Sequence, residues 1–489
     1  MNRQILFTIT LILAACCHNA CHALQKPVRS AVTLHFISKP PADSIMVIIS
    51  DPVDLLHSRK EKIYRITDNY VRIEERMDHP GFIICEFSNR ILLPYVGYSG
   101  ENGMIFSPGD DVTYHIGPDY EKGIMNINFS GKGSDKYNVL KEIIRARHEK
   151  IGRSRFGEPI DSSFIRMQKS IALTTDILRA NKAILGLETF AEMKQHLIGQ
   201  FLDAPLMRME QIKNPSTVKM YFNNYIKPVS RNFFDDQPLY PTQTSLGVIS
   251  YLLKWNYFIS TEQSFDDTYF NTHPVAALSL VGKQIRSKRL QQQMIAFKAY
   301  NQLLSGGFDK QYTSFLNAYL ATQKSRHNES LDLVRKLIKD ASTNLGVGKK
   351  AYEFALPDTT GRVIHQSDFK GRVVVLDFFF YGCVGCYQIA PVLDSLEKIY
   401  ADKNVTFISV SIDRNRLLWK KGIGRFSGRH AVQLYTDGQG AMHPLIKYYN
   451  IGSYPTLMLI DSSGNIANAR APDPRVNLKA FQMEMEKLL

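Results

Sequence analysis

Apolar and polar residues alternate with a period of two from about residue 30 to residue 130. This pattern predicts strands at Val32–Ser38, Ser44–Ser50, Lys62–Ile66, Phe82–Phe87, Ile91–Val96, Asp111–Ile116 and Ile124–Phe129. Turn-prone segments separate them: Pro40-Pro41, Asp78-His79-Pro80-Gly81 and Pro108-Gly109-Asp110. Short strands at this spacing suggest an all-β sandwich or barrel. The period changes at Gly133-Ser134, where Ser134 reads as a helix N-cap. Leu140, Ile143 and Ile144 then recur at helical spacing. Helices follow to about Ser342, including Glu192–Leu202, Leu246–Phe258, Gln284–Leu304 and Ser330–Ser342. From about Lys349 strands and helices alternate. Strands are expected at Val373–Phe380, Val405–Ile412, Val432–Thr436, Thr456–Ile460 and Ile466–Arg470, and helices at Val384–Tyr400, Met442–Tyr449 and Asn477–Leu489. Parallel β-α-β units followed by a hairpin and a terminal helix imply a central sheet covered on both faces. The expected division is a leader at 1–23, a β-rich domain at 25–132, a helical domain at 133–343 and an α/β domain at 344–489.

A chain of 489 residues suits two or three domains. With 44% apolar and 22% charged residues it is a globular protein with a core rather than a disordered one. The formal charge of +14 is spread along the chain. Its densest cluster is Arg414, Arg416, Lys420, Lys421, Arg425 and Arg429, which reads as a solvated surface helix and loop. A polyanion or an anionic membrane surface is the alternative for that cluster, and no nucleic-acid partner is expected. The N-terminus changes the picture more. Arg3 precedes an apolar run from Ile5 to Ala15, too short to span a bilayer and shaped like an export signal. Leu13-Ala14-Ala15-Cys16 resembles a bacterial lipobox, which would lipidate Cys16, while Cys21-His22-Ala23 fits an ordinary signal-peptidase site. Either reading places the mature chain in a bacterial periplasm or cell envelope, soluble or held by its N-terminus.

Export reduces the cysteines of the folded body to Cys85, Cys383 and Cys386. Cys85 shares a strand face with Ile83 and Phe87 and reads as core. Cys383-Val384-Gly385-Cys386 lies between an apolar strand and a helix marked by Ile389, Val392, Leu393, Leu396, Ile399 and Tyr400. A helix N-terminus favours a thiolate, the species that attacks a disulfide. Cys383 is therefore the expected nucleophile, and Cys386, one turn on, the resolving thiol. Pro391 falls inside this helix. Asp377 interrupts the apolar strand. A buried carboxylate is costly, so its pKa should rise toward neutrality, suiting it to carry the proton that Cys386 loses.

Asp377-Phe378-x-x-x-x-Cys383-x-x-Cys386-x-x-x-x-Pro391 resembles the thioredoxin active-site segment. Phe354-Ala355-Leu356-Pro357-Asp358-x-x-Gly361 and Asp368-Phe369-Lys370-Gly371 resemble the start of the TlpA/ResA-like branch of exported thiol–disulfide oxidoreductases. Ile451-Gly452-Ser453-Tyr454-Pro455-Thr456, continued by Leu457-Met458-Leu459-Ile460-Asp461-x-x-Gly464, resembles that branch's cis-proline loop. The resemblance covers about 346–489. It implies a thioredoxin-like fold with a large N-terminal extension, a redox-active Cys383–Cys386 disulfide, a cis Pro455 and substrate hydrogen bonds from the Tyr454 backbone. It also implies protein-disulfide substrates and a membrane thiol relay as electron donor. No cofactor is expected. Gly382 stands where the family usually has tryptophan, and Val384-Gly385 lacks its common proline.

Three other readings compete. A thiol peroxidase would need Pro-x-x-x-Thr-x-x-Cys, but Phe380 holds the threonine position. A partner-binding envelope protein with an accessory redox module would use the aromatic, proline-rich stretch Tyr221 to Phe258, otherwise read as core. A metal site lacks ligands, because one Cys-x-x-Cys supplies two and His443 is poorly spaced. Gly346-Val347-Gly348 reads as a hinge and not as part of a nucleotide loop, since no strand precedes it.

Overall fold

The computed structural model describes residues 28–40, 42–50, 60–77, 79–87, 92–93, 104–118, 124–152, 158–212, 214–230, 241–261, 270, 273–305, 310–323 and 328–489. The expected leader, Cys16, Cys17 and Cys21 lie outside these residues, as do 231–240 of the aromatic stretch. The chain forms two compact units, Met1–Asp267 and Thr268–Leu489. The expected boundary at 343/344 falls inside the second.

In the first unit, nine strands are described: β1 Val28–Phe36, β2 Ser44–Ser50, β3 Lys60–Arg65, β4 Tyr70–Met77, β5 Gly81–Phe87, β6 Leu92–Leu93, β7 Met104–Phe106, β8 Asp111–Ile116 and β9 Ile127–Lys132. They build one sheet of order β4-β1-β8-β9 and another of order β3-β2-β5-β6, with β7 also paired to β5. Alternation explains the sandwich. Val32, Leu34 and Phe36 of β1, Ile45, Val47 and Ile49 of β2, and Ile83 and Cys85 of β5 join Val112, Tyr114 and Ile116 of β8 in one core. Cys85 is fully buried there, and burial pushes its thiol up to about 12.

The strand expectations need correction at several places. Tyr70–Met77 was not expected to be a strand. Its outward Arg72, Glu74 and Arg76 hide the alternation of Val71, Ile73 and Met77, and Glu75 on the inner side pairs with Lys62. Ile124–Asn126 is a 3-10 turn, and the strand begins at Ile127. Most of Ile91–Val96 lies outside the described residues.

Among the described residues, the helices of this unit are α1 Asp135–Lys150, α2 Ile160–Ala180, the short α3 Lys182–Leu185, α4 Leu187–Met209, α5 Pro215–Tyr221, which runs on into a π-helical turn over Phe222–Ile226, and α6 Gln243–Ser260. Ser134 occupies the N-cap position of α1, but its side chain makes no capping bond.

The second unit opens with α7 Pro274–Gln284, α8 Lys288–Ser305, α9 Lys310–Thr322 and α10 Glu329–Asn344. The helix expected at Gln284–Leu304 is α8, which starts four residues later, while Gln284 ends the preceding α7. Ile285 turns extended and Ser287 accepts from the Leu290 N–H, restarting the helix. A hairpin follows, β10 Ala355–Pro357 with β11 Val363–His365, and then a five-stranded sheet. Its strands are β12 Val373–Phe379, β13 Val405–Ser411, β14 Val432–Tyr435, β15 Thr456–Ile460 and β16 Ile466–Asn468, in the order β14-β13-β12-β15-β16. β12, β13 and β14 are parallel, and β15 and β16 run as an antiparallel hairpin on the other side of β12. The helices are α11 Val384–Ile399, α12 Arg416–Gly422, α13 Pro444–Tyr448 and α14 Leu478–Glu486. The expected Met442–Tyr449 helix is split, because Pro444 starts a new helix after the short Gly440–Met442 turn.

Every residue of β12 is buried, as the central strand of a mixed sheet covered on both faces requires. Val373 and Val375 meet Ile389, Leu393 and Leu396 of α11 and Phe481 and Met485 of α14. Phe379, farther along the same strand face, packs with both cysteines, Trp419, Phe426 and Tyr435. The C-terminal end of the central strand thus delivers the chain to the start of α11 inside a sealed apolar cluster.

Candidate functional site

Cys383 is the N-cap residue of α11, in extended conformation, and its sulfur is bonded to that of Cys386. The Cys386 N–H donates to Cys383 Sγ at 3.0 Å. A free N–H of the first helical turn thus points at the outer sulfur, and the helix dipole adds to its preference for negative charge there. Cys383 is 5% exposed and Cys386 is sealed at 0%, so an incoming group meets Cys383 first. The Tyr381 N–H is held by Asp413 at 2.9 Å and Gly382 turns through φ +91°, which bends the chain from strand into helix.

The Tyr454–Pro455 peptide bond is cis. Its loop lies directly on the cysteine turn. Cys383 Sγ is 3.7 Å from the Tyr454 carbonyl oxygen. A Cβ placed on Gly385 would stand 2.9 Å from Pro455 Cδ and 3.2 Å from that same carbonyl oxygen, so the approach of the two segments requires glycine. Tyr454 also meets Phe380 edge to face.

Asp377 lies on the β12 face that carries Val375 and Phe379, between the core under α11 and the cluster around the cysteines. It is 3% exposed. Ser409 donates to its Oδ2 at 3.3 Å, while Oδ1 has no hydrogen-bond partner. Burial pushes its pKa up to about 8; the Ser409 bond works against that rise and Glu397 adds to it.

The structure therefore brings together Cys383, Cys386, Tyr454 and Pro455, and places Asp377 on the strand face whose next member, Phe379, packs on both cysteines. Cys16 is outside the described residues. Sequence reasoning overlooked Glu397, Arg475 and the need for Gly385. Glu397 follows Ile389 and Leu393 at four-residue steps, so a carboxyl on the buried stripe of α11 was visible in the pattern. Its Oε2 accepts from the His430 N–H at 2.9 Å, and burial raises its pKa. Arg475 had no local signal. It donates to Gly385 O at 3.0 Å and Gln388 Oε1 at 3.1 Å while paired with Asp473. Beside the cysteines in the first turn of α11, Val384 and Tyr387 are exposed at 70% and 55%, and Val476, next to Arg475, at 77%, which leaves an apolar rim. Arg425 sits over the Tyr387 and Phe426 rings. Most of the basic cluster is solvated as expected, but the helix within it buries Trp419, which stacks on Tyr435 at 4.8 Å.

Among the described residues, no group of three or more His, Cys, Asp and Glu could hold a metal, and no helix is long and apolar enough to cross a membrane.

Residues 371–466 match a family model described as thioredoxin-like. The thiol-disulfide oxidoreductase ResA of Bacillus thuringiensis subsp. konkukian is 29% identical over 120 residues, 24% of this chain and 66% of that protein. ResA of Geobacillus kaustophilus is 29% identical over 124 residues, 25% of this chain and 68% of its own. Among solved structures, the thioredoxin domain of a thiol-disulfide oxidoreductase from Bacteroides vulgatus is 26% identical, with 30% of this chain and 99% of that one covered, at a TM-score of 0.27. A thiol-disulfide oxidoreductase from Bacteroides fragilis is 25% identical, with 29% and 100% covered and a TM-score of 0.26.

Proposed function

We propose that this chain, whose residues 371–466 form a thioredoxin-like domain, is an exported thiol–disulfide oxidoreductase that reduces protein disulfides through Cys383 and Cys386. One observation carries the reading. A bonded cysteine pair at a helix N-terminus lies against the cis Tyr454–Pro455 loop, and a buried acid stands two residues before Phe379, which packs on both cysteines. The names of the sequence relatives support the reaction class. The apolar rim of Val384, Tyr387 and Val476 suits an extended protein segment better than a small polar disulfide.

The reaction starts from the reduced pair. The Cys383 thiolate attacks one sulfur of the substrate disulfide, forming a mixed disulfide and releasing the other substrate sulfur as a thiolate. Tyr454 offers its backbone to the bound segment. Asp377 takes the proton from Cys386, either directly or through water. The Cys386 thiolate then attacks Cys383 Sγ, which closes the intramolecular disulfide and frees the second substrate sulfur. Two electrons pass from the protein to the substrate, whose two sulfurs leave as thiols once protonated. A thiol relay in the membrane is the donor that would restore the dithiol. The leader-like N-terminus supports export, with Cys16 as the candidate lipid attachment.

Cys383→Ser is expected to abolish disulfide reduction by the purified protein, and unchanged turnover would overturn the assignment. Cys386→Ala is expected to accumulate a mixed disulfide through Cys383 in cells. The captured partner then identifies the substrate.

A further inference from the structure

On the sheet β4-β1-β8-β9, one cross-strand row runs Tyr70, His35, His115, Asn128. His35 is the register partner of both Tyr70 and His115, and His115 is the partner of Asn128. Leu34 and Tyr114, the preceding neighbours of the two histidines, are fully buried, so alternation turns the row to the outer face. The two Nδ1 atoms stand 3.4 Å apart.

That distance is long for an N–H hydrogen bond, which spans about 2.7–3.2 Å. It matches the bite of a tetrahedral metal. Two Zn–N bonds of about 2.0–2.1 Å at the tetrahedral angle separate their nitrogens by about 3.3–3.4 Å. A right-angled pair, as in square-planar or octahedral coordination, would bring them to about 2.9 Å.

The surroundings prepare both rings. His115 Nε2 lies 2.8 Å from Ser130 Oγ. With the proton on Nε2 and donated to that hydroxyl, Nδ1 keeps its lone pair toward His35, which is how an outer partner orients a metal-binding imidazole. His35 stacks on Tyr70, with ring centroids 4.3 Å apart and planes 5° from parallel. Two neighbouring strands in fixed register therefore hold both rings before any ion arrives.

We propose that His35 and His115 form a two-histidine site for a divalent transition-metal ion with tetrahedral preference, of which zinc is the type. No third His, Cys, Asp or Glu joins them among the described residues, so solvent completes the shell and the affinity is modest. Asn128 is not a ligand, since its Oδ1 accepts from Lys141 at 3.1 Å. Nothing in the site belongs to the dithiol centre.

The test uses the full chain without a histidine tag, stripped of metal and kept oxidised so that Cys383 and Cys386 cannot bind the ion. Zn2+ is titrated by calorimetry into the wild type, His35→Phe, His115→Ala and Ser130→Ala. The His35→Phe change keeps an aromatic ring against Tyr70 while removing the ligand. The wild type should take up one Zn2+ more than either histidine variant, or bind it more than about tenfold more tightly, with Ser130→Ala in between. Zn2+ should also raise the melting temperature of the wild type more than that of the histidine variants. Circular dichroism without metal checks each fold, and His115→Gln replaces His115→Ala if the latter is misfolded. Equal uptake and equal thermal shifts in wild type and folded histidine variants would overturn the proposal.

Discussion

Asp377 is a carboxyl group in a strand with no exposed residue, held by one hydrogen bond from Ser409. Its pKa of about 8 in the fold, against an ordinary 3.8, sets the sign of a pH effect. Between those values the unfolded chain has released a proton that the folded chain retains. The stability this group confers is therefore complete below about pH 4 and is lost as pH rises toward 8. Asp377→Asn should make the oxidised protein more stable at pH 8, by on the order of 5 kcal/mol, with the difference vanishing toward pH 4. Denaturant titrations at pH 4, 6 and 8 check this; a pH-independent difference would rule out the buried acid as its source. Gly385→Ala tests the closest approach at the site. The new methyl group must displace Pro455 or the Tyr454 carbonyl, at a cost of about 1–3 kcal/mol. Reduction of a protein disulfide should slow more than reduction of a small disulfide. Asp377 and both cysteines were legible because each interrupts a local pattern or completes a spacing, and Pro455 through the resemblance of its loop to a known cis-proline loop. Gly385 and Arg475 were not, because their importance lies in contacts with segments roughly 70–90 residues away.

Among the elements, the junction of α8 with the α/β fold is centred on one buried cation. Arg470 is 7% exposed and donates to Leu304 O at 3.0 Å, Ala469 O at 2.7 Å, Tyr449 O at 2.7 Å and Asn450 O at 3.1 Å. Burial lowers its pKa to about 10, so it stays charged at neutral pH. Leu304 lies in the last turn of α8, and Tyr449 and Asn450 directly follow α13. The cation therefore sits where the free carbonyls of two helix ends converge. Ser453 also donates to Leu304 O, one residue before the Tyr454–Pro455 bond. Arg470→Met should destabilise the second unit by roughly 3 kcal/mol or more, since several buried carbonyls lose their donor. It should also raise KM for protein disulfides through the loosened loop. Urea unfolding and steady-state kinetics check the two effects, and a near-neutral variant would show the clamp to be dispensable. Sequence periodicity located α8, the five strands of the central sheet, α11 and α14 to within a few residues, but missed α9 and the β10–β11 hairpin. It could not show that α8 docks on them, because hydrophobic spacing marks which face is buried and not what buries it.

For the whole molecule, composition and hinge residues suggested a break near Gly346, whereas the compact unit begins at Thr268. A chain beginning at Thr268 should unfold in one cooperative transition. One beginning at residue 346 should melt lower, with Arg470 deprived of Leu304. Calorimetry of the two chains decides this, and equal melting temperatures would make the preceding helices dispensable. The sandwich of the first unit was legible from alternation, except for β4, whose charged outer row masked it, and the three-residue β7, too short to show a period. The Arg470 clamp also has a side in time. The chain is made from its N-terminus, and Leu304 leaves the ribosome 166 residues ahead of Arg470. At about 5–20 residues per second, the end of α8 waits roughly 10–30 s for the residue that caps it. The second unit can therefore complete this clamp only after Arg470 has emerged, and until then the end of α8 lacks its cationic partner.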